Sequence, residues 1–396
     1  MRILVVAHGA SHVPWVVPLA WAARLAGHEV RVAARPQSLA GVRSAGLIAV
    51  PIGEHAAGEA FARGTIPDAA ERPERVPADW PMGPLPWSEE RRLAWAGQVL
   101  GLADSLADDL VGFARHWRPD LVVYDIGAVV GLVAAAAVGV PAIGHGWVQP
   151  MGLYFLAENE IPPAYFRMFE RFGVAPSVGT DTWIDPCPPA LARPSRVPKI
   201  PVRYVPYNGS GEIPDWLRRE PERPRVCVSG GITTRNFNER REQLLDEVEG
   251  LDAEIVLAVA GHEEFDGLSL PANVRLTGWI PLGAVVQTCS ALVHHGGAGS
   301  GMTGLAYGVP QLVVPDGRDS TQWLWGDLVE RAGAGICVDP DRQAVPGGLR
   351  SAIGAVLGQP EFTAAAREVR AEIDAMPSPA SVVAQLEDRA AVPAHS

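Results

Sequence analysis

Apolar residues in this chain come as short runs alternating with stretches of helical spacing, the pattern of an α/β protein built on parallel strands. Residues 2–7 form an apolar run too short for a helix and are predicted as a buried strand. Val16 to Ala26 has helical periodicity, with Pro14 near its start and Gly27 just past its end, the termini that favour those two residues. Glu29 to Ala33 reads as a strand, Gln37 to Ser44 as a short helix and Leu47 to Ile52 as a third strand. The loop at 8–13 thus lies at the carboxyl end of the first strand, where open α/β sheets bind ligands.

From Gly53 to Trp95 the periodicity breaks into Pro, Gly, Arg and Glu, with Trp80, Trp87 and Trp95 scattered through it. A stretch of that length inside a compact domain is expected to be a binding surface or lid. Gln98 to Trp117 resumes helical spacing, followed by a strand at 121–124, a small-residue helix at 127–138 and a strand at 141–145. Residues 1–192 are therefore expected to form one doubly wound domain. Prolines at 194, 198, 201, 206, 214, 221 and 224 suit an extended linker over 193–224. A second α/β series follows over 225–377, with strands at 226–228, 254–260, 273–276, 291–293 and 311–314 and helices near 239–249, 346–357 and 360–375. The tail, 378–396, has helical periodicity from Pro379 and is expected to pack back on the first domain.

With 396 residues, 47% of them hydrophobic, the chain can bury two cores, and two domains imply a cleft. A formal charge of −12 argues against a nucleic-acid or anionic-membrane partner, so a phosphate would be met by local donors and the partner should be small. Cys187, Cys227, Cys289 and Cys337 lack metal-type spacing and fit reduced thiols in cytoplasm. No window approaches eighteen uninterrupted apolar residues, so nothing is expected to export or anchor the chain.

Within the second domain, His294-His295-Gly296-Gly297-Ala298-Gly299-Ser300-Gly301 links an apolar strand to a helix. Glycines let the backbone approach a phosphate, the first helical N–H groups lack partners, and an imidazole or the Ser300 hydroxyl can add a donor; together they suit a pyrophosphate. A dinucleotide site competes, since Asp316 lies about twenty residues on, where a ribose-binding acid would sit. The alternating Gly297, Gly299 and Gly301 do not match that fingerprint's spacing. Two other Gly-containing loops, 229–233 with Gly231 and Thr233, and 277–281 with Trp279 and Ile280, should share the same sheet edge. Trp279 could face a nucleobase or pack under its loop. Asp319 and Ser320 could reach a ligand or cap a helix. Asp339-Pro340-Asp341 reads as a turn, and no metal site is predicted. In the first domain, His12 follows strand one and Asp125 follows the strand at 121–124. Such a carboxylate would fix the imidazole tautomer and let the ring take a proton from a hydroxyl.

These motifs, with Gly308-Val309-Pro310-Gln311, Pro315-Asp316-Gly317-Arg318-Asp319, Ser11-His12 and Gly27-His28-Glu29-Val30, resemble the inverting glycosyltransferases that decorate antibiotic aglycones. The likeness spans nearly the whole chain. It is closest to the branch acting on macrolides and other polyketides, through Arg203-Tyr204-Val205-Pro206-Tyr207-Asn208-Gly209, Pro214-Asp215-Trp216-Leu217 and Pro377-Ser378-Pro379-Ala380. The resemblance implies a GT-B fold, two Rossmann-like domains facing across a cleft. It implies a TDP-deoxysugar as co-substrate, no metal or other cofactor, His12 as base with Asp125 as its partner, and a pyrophosphate held by His295 and the following loop with His294 nearby. Whether Ser320 or Gln322 follows Asp319 in the sugar-contacting pair stays open. Trp80, Trp87, Trp147, Tyr154 and Phe155 speak for a large apolar acceptor. The resemblance also raises an auxiliary protein resembling a cytochrome P450, and a homodimer. Two other functions compete: a non-catalytic binding partner of another transferase, and a nucleotide-sugar epimerase on the same fold.

Overall fold

The structure is a computed structural model, and it describes residues 1–7, 9–54, 79, 87–146, 156, 160–180, 182–195, 197–231, 241–259, 265–315, 320–338 and 347–390. The first half contains β1 (Arg2–Val6), α1 (Val13–Leu25), β2 (Glu29–Ala34), α2 (Leu39–Ser44), β3 (Ala49–Pro51), α3 (Glu89–Trp117), β4 (Leu121–Asp125), α4 (Val130–Val138), β5 (Ala142–His145), α5 (Pro163–Phe172), β6 (Trp183–Asp185) and β7 (Lys199–Pro201). The second half contains β8 (Arg225–Gly231), α6 (Arg241–Val248), β9 (Glu254–Val259), β10 (Val274–Thr277), α7 (Leu282–Val286), β11 (Ala291–His294), α8 (Ala298–Ala306), β12 (Gln311–Val313), α9 (Ser320–Arg331) and β13 (Gly335–Cys337), then α10 (Gly348–Gly358), α11 (Pro360–Ala375) and α12 (Pro379–Ala390).

The strands form two parallel sheets, ordered β3-β2-β1-β4-β5-β6-β7 and β10-β9-β8-β11-β12-β13. Each sheet is buried on both faces, which is why its central strands are runs of Val, Leu and Ile. Alternate residues split between two cores. Leu4, Val6, Val122 and Tyr124 pack under α3 and α4, whereas Ile3, Val5, Leu121 and Val123 pack under α1 and α12. The last helix therefore lies on the first sheet, through Val382, Val383 and Leu386, with Glu387 Oε1 2.8 Å from His28 Nε2. The α3 side of the first core is continuous with Ala298 and Met302 of α8 and Leu324 and Trp325 of α9, so apolar packing crosses between the two sheets.

Several boundaries differ from the sequence reading for identifiable reasons. Helix α3 starts at Glu89 rather than Gln98, because Ser88 accepts the Arg91 N–H as a cap and acids occupy the first turn; that turn is polar and leaves no apolar period. The proline-rich stretch read as linker contains β7, which pairs with β6 at the sheet edge, where Pro201 needs no ladder donor. Helix α1 begins at Val13, with Pro14 in its first turn.

Helices α8 and α9 meet at Gly301, where an added Cβ would fall inside the Trp325 ring. Gly301→Ala should lower stability by about 1–3 kcal/mol, as overpacked cores do. Thermal unfolding checks this, and an unchanged midpoint would contradict the close approach.

Candidate active site

Parallel pairing of β1 with β4 sets Val6 opposite Tyr124, so the turn after β1 and the end of β4 share one sheet edge. His12 occupies the N-cap of α1 but makes no cap bond with its side chain. Its Nδ1 lies instead 2.7 Å from Asp125 Oδ2. The second carboxylate oxygen accepts the Gly127 N–H at 2.8 Å. With Asp125 buried and both oxygens accepting, the His12 proton sits on Nδ1 and the ring lone pair on Nε2. Beside the pair, Val6, Ala7, Gly127 and Ala128 with Val99 and Leu106 of α3 line a small apolar pocket.

Beyond Asp125 stands His145, its register partner on β5, which the sequence reading did not single out. It is buried, and its Nδ1 has no hydrogen-bond partner among the described residues. Burial pushes this imidazole below its ordinary pKa, opposed by the Asp125 charge.

In the second half, the carboxyl ends of β8, β10 and β11 lie along one edge, so the turns after Thr277 and His294 share it. Gly297 caps α8 without a side-chain bond, which leaves the N–H groups of Ala298, Gly299 and Ser300 directed outward as a helix N-terminus. Gly296 has φ +98°, and a Cβ there would lie 2.6 Å from Gln322 O, so the turn presses against α9. A Cβ at Gly297 would lie 2.6 Å from His295 Nε2, so glycine lets the His295 ring fold over the turn.

His294, expected near the pyrophosphate loop, lies behind the turn. It is fully buried, its Nδ1 accepts the Gly296 N–H at 3.2 Å and its Nε2 lies 2.9 Å from Gln311 Oε1. Both ring nitrogens are bonded within the protein, so the ring braces the turn. Burial lowers its pKa to about 3, with His295 adding to the shift, and the ring is neutral. Gln311 completes the brace, donating to Gly301 O at 2.8 Å and accepting from Trp325 Nε1 at 3.1 Å. Neither Gln311 nor Trp325 was anticipated as a site residue, since a Gln in a strand and a Trp in a helix carry no local signature of a turn they support.

The two edges meet. Trp15, one turn after His12, stacks obliquely on Tyr204 with ring centroids 5.1 Å apart. Tyr204 in turn reaches Gly299 O of α8 at 3.3 Å. Trp279 is 65% exposed, open to a stacking partner, and its Nε1 donates to Ser210 O. Ile280 is instead buried with Val285 and Val286 in a core, which removes its side chain from a ligand surface. Trp87 is likewise a core residue, with the Arg91 guanidinium 4.6 Å from its ring, rather than an open acceptor surface. Thr233, Asp316, Asp319, Trp80, Trp147, Tyr154 and Phe155, and the Ser320 side chain, lie outside the described residues. Among the described residues no group of His, Cys, Asp and Glu is placed to hold a metal ion, and no helix is long and apolar enough to cross a membrane.

Family profiles match both halves: Erythromycin biosynthesis protein CIII-like, N-terminal domain, over residues 21–231, and its C-terminal domain over 242–389. The chain is 37% identical to the TDP-daunosamine transferase DnrS of Streptomyces peucetius, covering 98% of this chain and 96% of that one. It is 35% identical to the Aklavinone 7-beta-L-rhodosaminyltransferase of Streptomyces galilaeus, covering 98% and 95%. The crystal structure of the glycosyltransferase VinC in complex with DTDP superposes with a TM-score of 0.83 at 30% identity, covering 99% of this chain and all of that one. With two parallel-sheet halves of this topology and these relatives, the chain is a glycosyltransferase of the GT-B fold. Within that class the chain belongs to the Erythromycin biosynthesis protein CIII-like family.

The buried imidazoles set a pH dependence. An unfolded histidine titrates at about 6.5, His294 in the fold at about 3. Between these values the unfolded chain binds more protons, so the stability present above the upper one is lost as pH falls toward the lower. Thermal midpoints should drop on acidification below about pH 6.5, and His294→Gln should flatten that drop. A slope identical in both proteins would contradict a neutral His294.

Proposed function

We propose that the chain transfers a deoxysugar from a TDP-sugar to a hydroxyl of a polyketide-type aglycone, with inversion at the anomeric carbon. The observation that carries this reading is the 2.7 Å His12–Asp125 contact, on a helix whose next turn packs through Trp15 and Tyr204 on the first turn of α8. Thymidine as the nucleoside is supported by the name of the daunosamine transferase and by the nucleotide bound to VinC.

In this reading residues 1–192 receive the acceptor, 225–377 hold the donor, and 193–224 join them. Nε2 of His12 takes the acceptor proton as the oxygen attacks, and Asp125 stabilises the resulting imidazolium. The diphosphate leaves on the opposite face of the sugar toward the N–H groups of Ala298, Gly299 and Ser300 and the His295 ring. A helix N-terminus, with its partial positive charge, stabilises the charge that develops there. Attack and departure on opposite faces invert the anomeric centre. Trp279 stacks on the base of the nucleotide.

The test is a panel of TDP-deoxysugars with polyketide aglycones, run with the chain alone and with an auxiliary protein of the cytochrome P450 type. Formation of a glycoside with inverted configuration is the expected result. TDP binding without transfer or donor hydrolysis under either condition would support a binding partner instead, and interconversion of the donor sugar an epimerase. His12→Ala should retain TDP affinity within about threefold while turnover falls at least about tenfold, the lower end of what a general base supplies. Turnover equal to wild type would remove the base assignment.

A further inference from the structure

The segment Arg203–Gly211, between β7 and β8, touches each part of the proposed site's frame. Arg203 N donates to Pro377 O at 2.7 Å, tying its start to the chain just before α12. Tyr204 is buried, its ring against Trp15, and its hydroxyl lies 3.3 Å from Gly299 O and 3.2 Å from Thr303 Oγ1. Tyr207 meets Trp21 of α1 edge-on at 5.1 Å. Asn208 spans two elements of the second half: its Nδ2 donates to Thr303 Oγ1 at 3.0 Å and its Oδ1 accepts the Gly283 N–H of α7 at 2.9 Å. Gly209, at φ +88°, leaves room for the Trp279 ring, which a Cβ would approach to 2.9 Å.

Thr303 is the junction. It sits one turn after Gly299 on α8, donates to Gly299 O at 2.8 Å, and takes both the Asn208 amide and the Tyr204 hydroxyl. Hydrogen bonds in such a dry contact are directional, and those from Asn208 and Tyr204 join α8 to the segment after β7. Tyr204 therefore links the helix carrying His12 to the turn that receives the diphosphate. Asn208 links that same turn to α7, which follows the exposed Trp279.

We infer that residues 204–208 act as a strap that sets two separations independently: Tyr204 is a positioning residue for the base relative to the leaving group, and Asn208 for the diphosphate turn relative to the nucleobase loop. The inference rests on the functional reading above. A misplacement of reacting groups by about 1 Å can cost about a hundredfold in rate. Loss of the first link falls on turnover, because the donor site lies wholly in the second half. Loss of the second falls on donor affinity, because its two contact points drift apart.

The experiment measures TDP binding by calorimetry, and kcat with the donor and acceptor pair giving the highest wild-type turnover in the panel. The proteins are the full chain and its Tyr204→Phe, Asn208→Ala, Thr303→Val and Thr303→Ser variants. Tyr204→Phe should lower kcat at least fivefold with the TDP Kd within twofold. Asn208→Ala should raise the TDP Kd at least fivefold with kcat within twofold. Thr303→Val should show both defects, and Thr303→Ser, which keeps the hydroxyl, should stay within threefold of wild type in both. Any other pattern, including parallel losses in all variants or none in any, overturns the strap. A wild-type chain that neither binds TDP nor transfers overturns the functional reading instead.

Discussion

The glycine-rich turn before α8 aims several N–H dipoles at one point, and its rigidity comes from a buried neutral network behind it. His294 accepts from Gly296 N and pairs with Gln311, which also holds Gly301 O and the Trp325 indole. These contacts tie the groups to one another with no charged side chain in the set. Neutrality matters because a cation here would be isolated from solvent; burial holds the His294 pKa near 3 and prevents it. In a chain of net charge −12, dipoles held this close supply the local positive potential that the overall field does not.

The opposite edge uses a different physical device. Asp125 is buried at the end of a strand with one oxygen on a backbone N–H and the other on His12, so the imidazole is oriented by a group that cannot move without breaking β4. The N-cap position of α1 makes no cap bond of its own, and the ring is thereby available for this role. His145 stands next in register, a buried ring whose pKa burial lowers against the pull of the Asp125 charge.

Function in a two-sheet enzyme depends on how these edges face each other. Here the contact is aromatic and apolar, Trp15 against Tyr204 within a core that runs from α3 to α8 and α9. Close packing of this kind is intolerant of added volume, and at Gly301 α8 approaches the Trp325 ring of α9 with no room for a Cβ.

Much of this was legible in the residues themselves. Apolar runs flanked by glycines marked most strands, because a strand buried on both faces admits little else, and the Gly-rich start of α8 stood out, with Gly296 at φ +98° where glycine is favoured. The pairing of His12 with Asp125 followed from topology, since both follow parallel strands. What the residues alone did not reveal were side-chain destinations: that His294 faces inward, that Ile280 and Trp87 are core, that Gln311 and Trp325 brace a turn far from them in the chain, and that β7 lies inside a proline-rich stretch. Local patterns report backbone conformation and periodicity. Which of two neighbouring histidines is buried depends on which neighbours fill the space behind it, and that is decided only when β12 and α9 pack there.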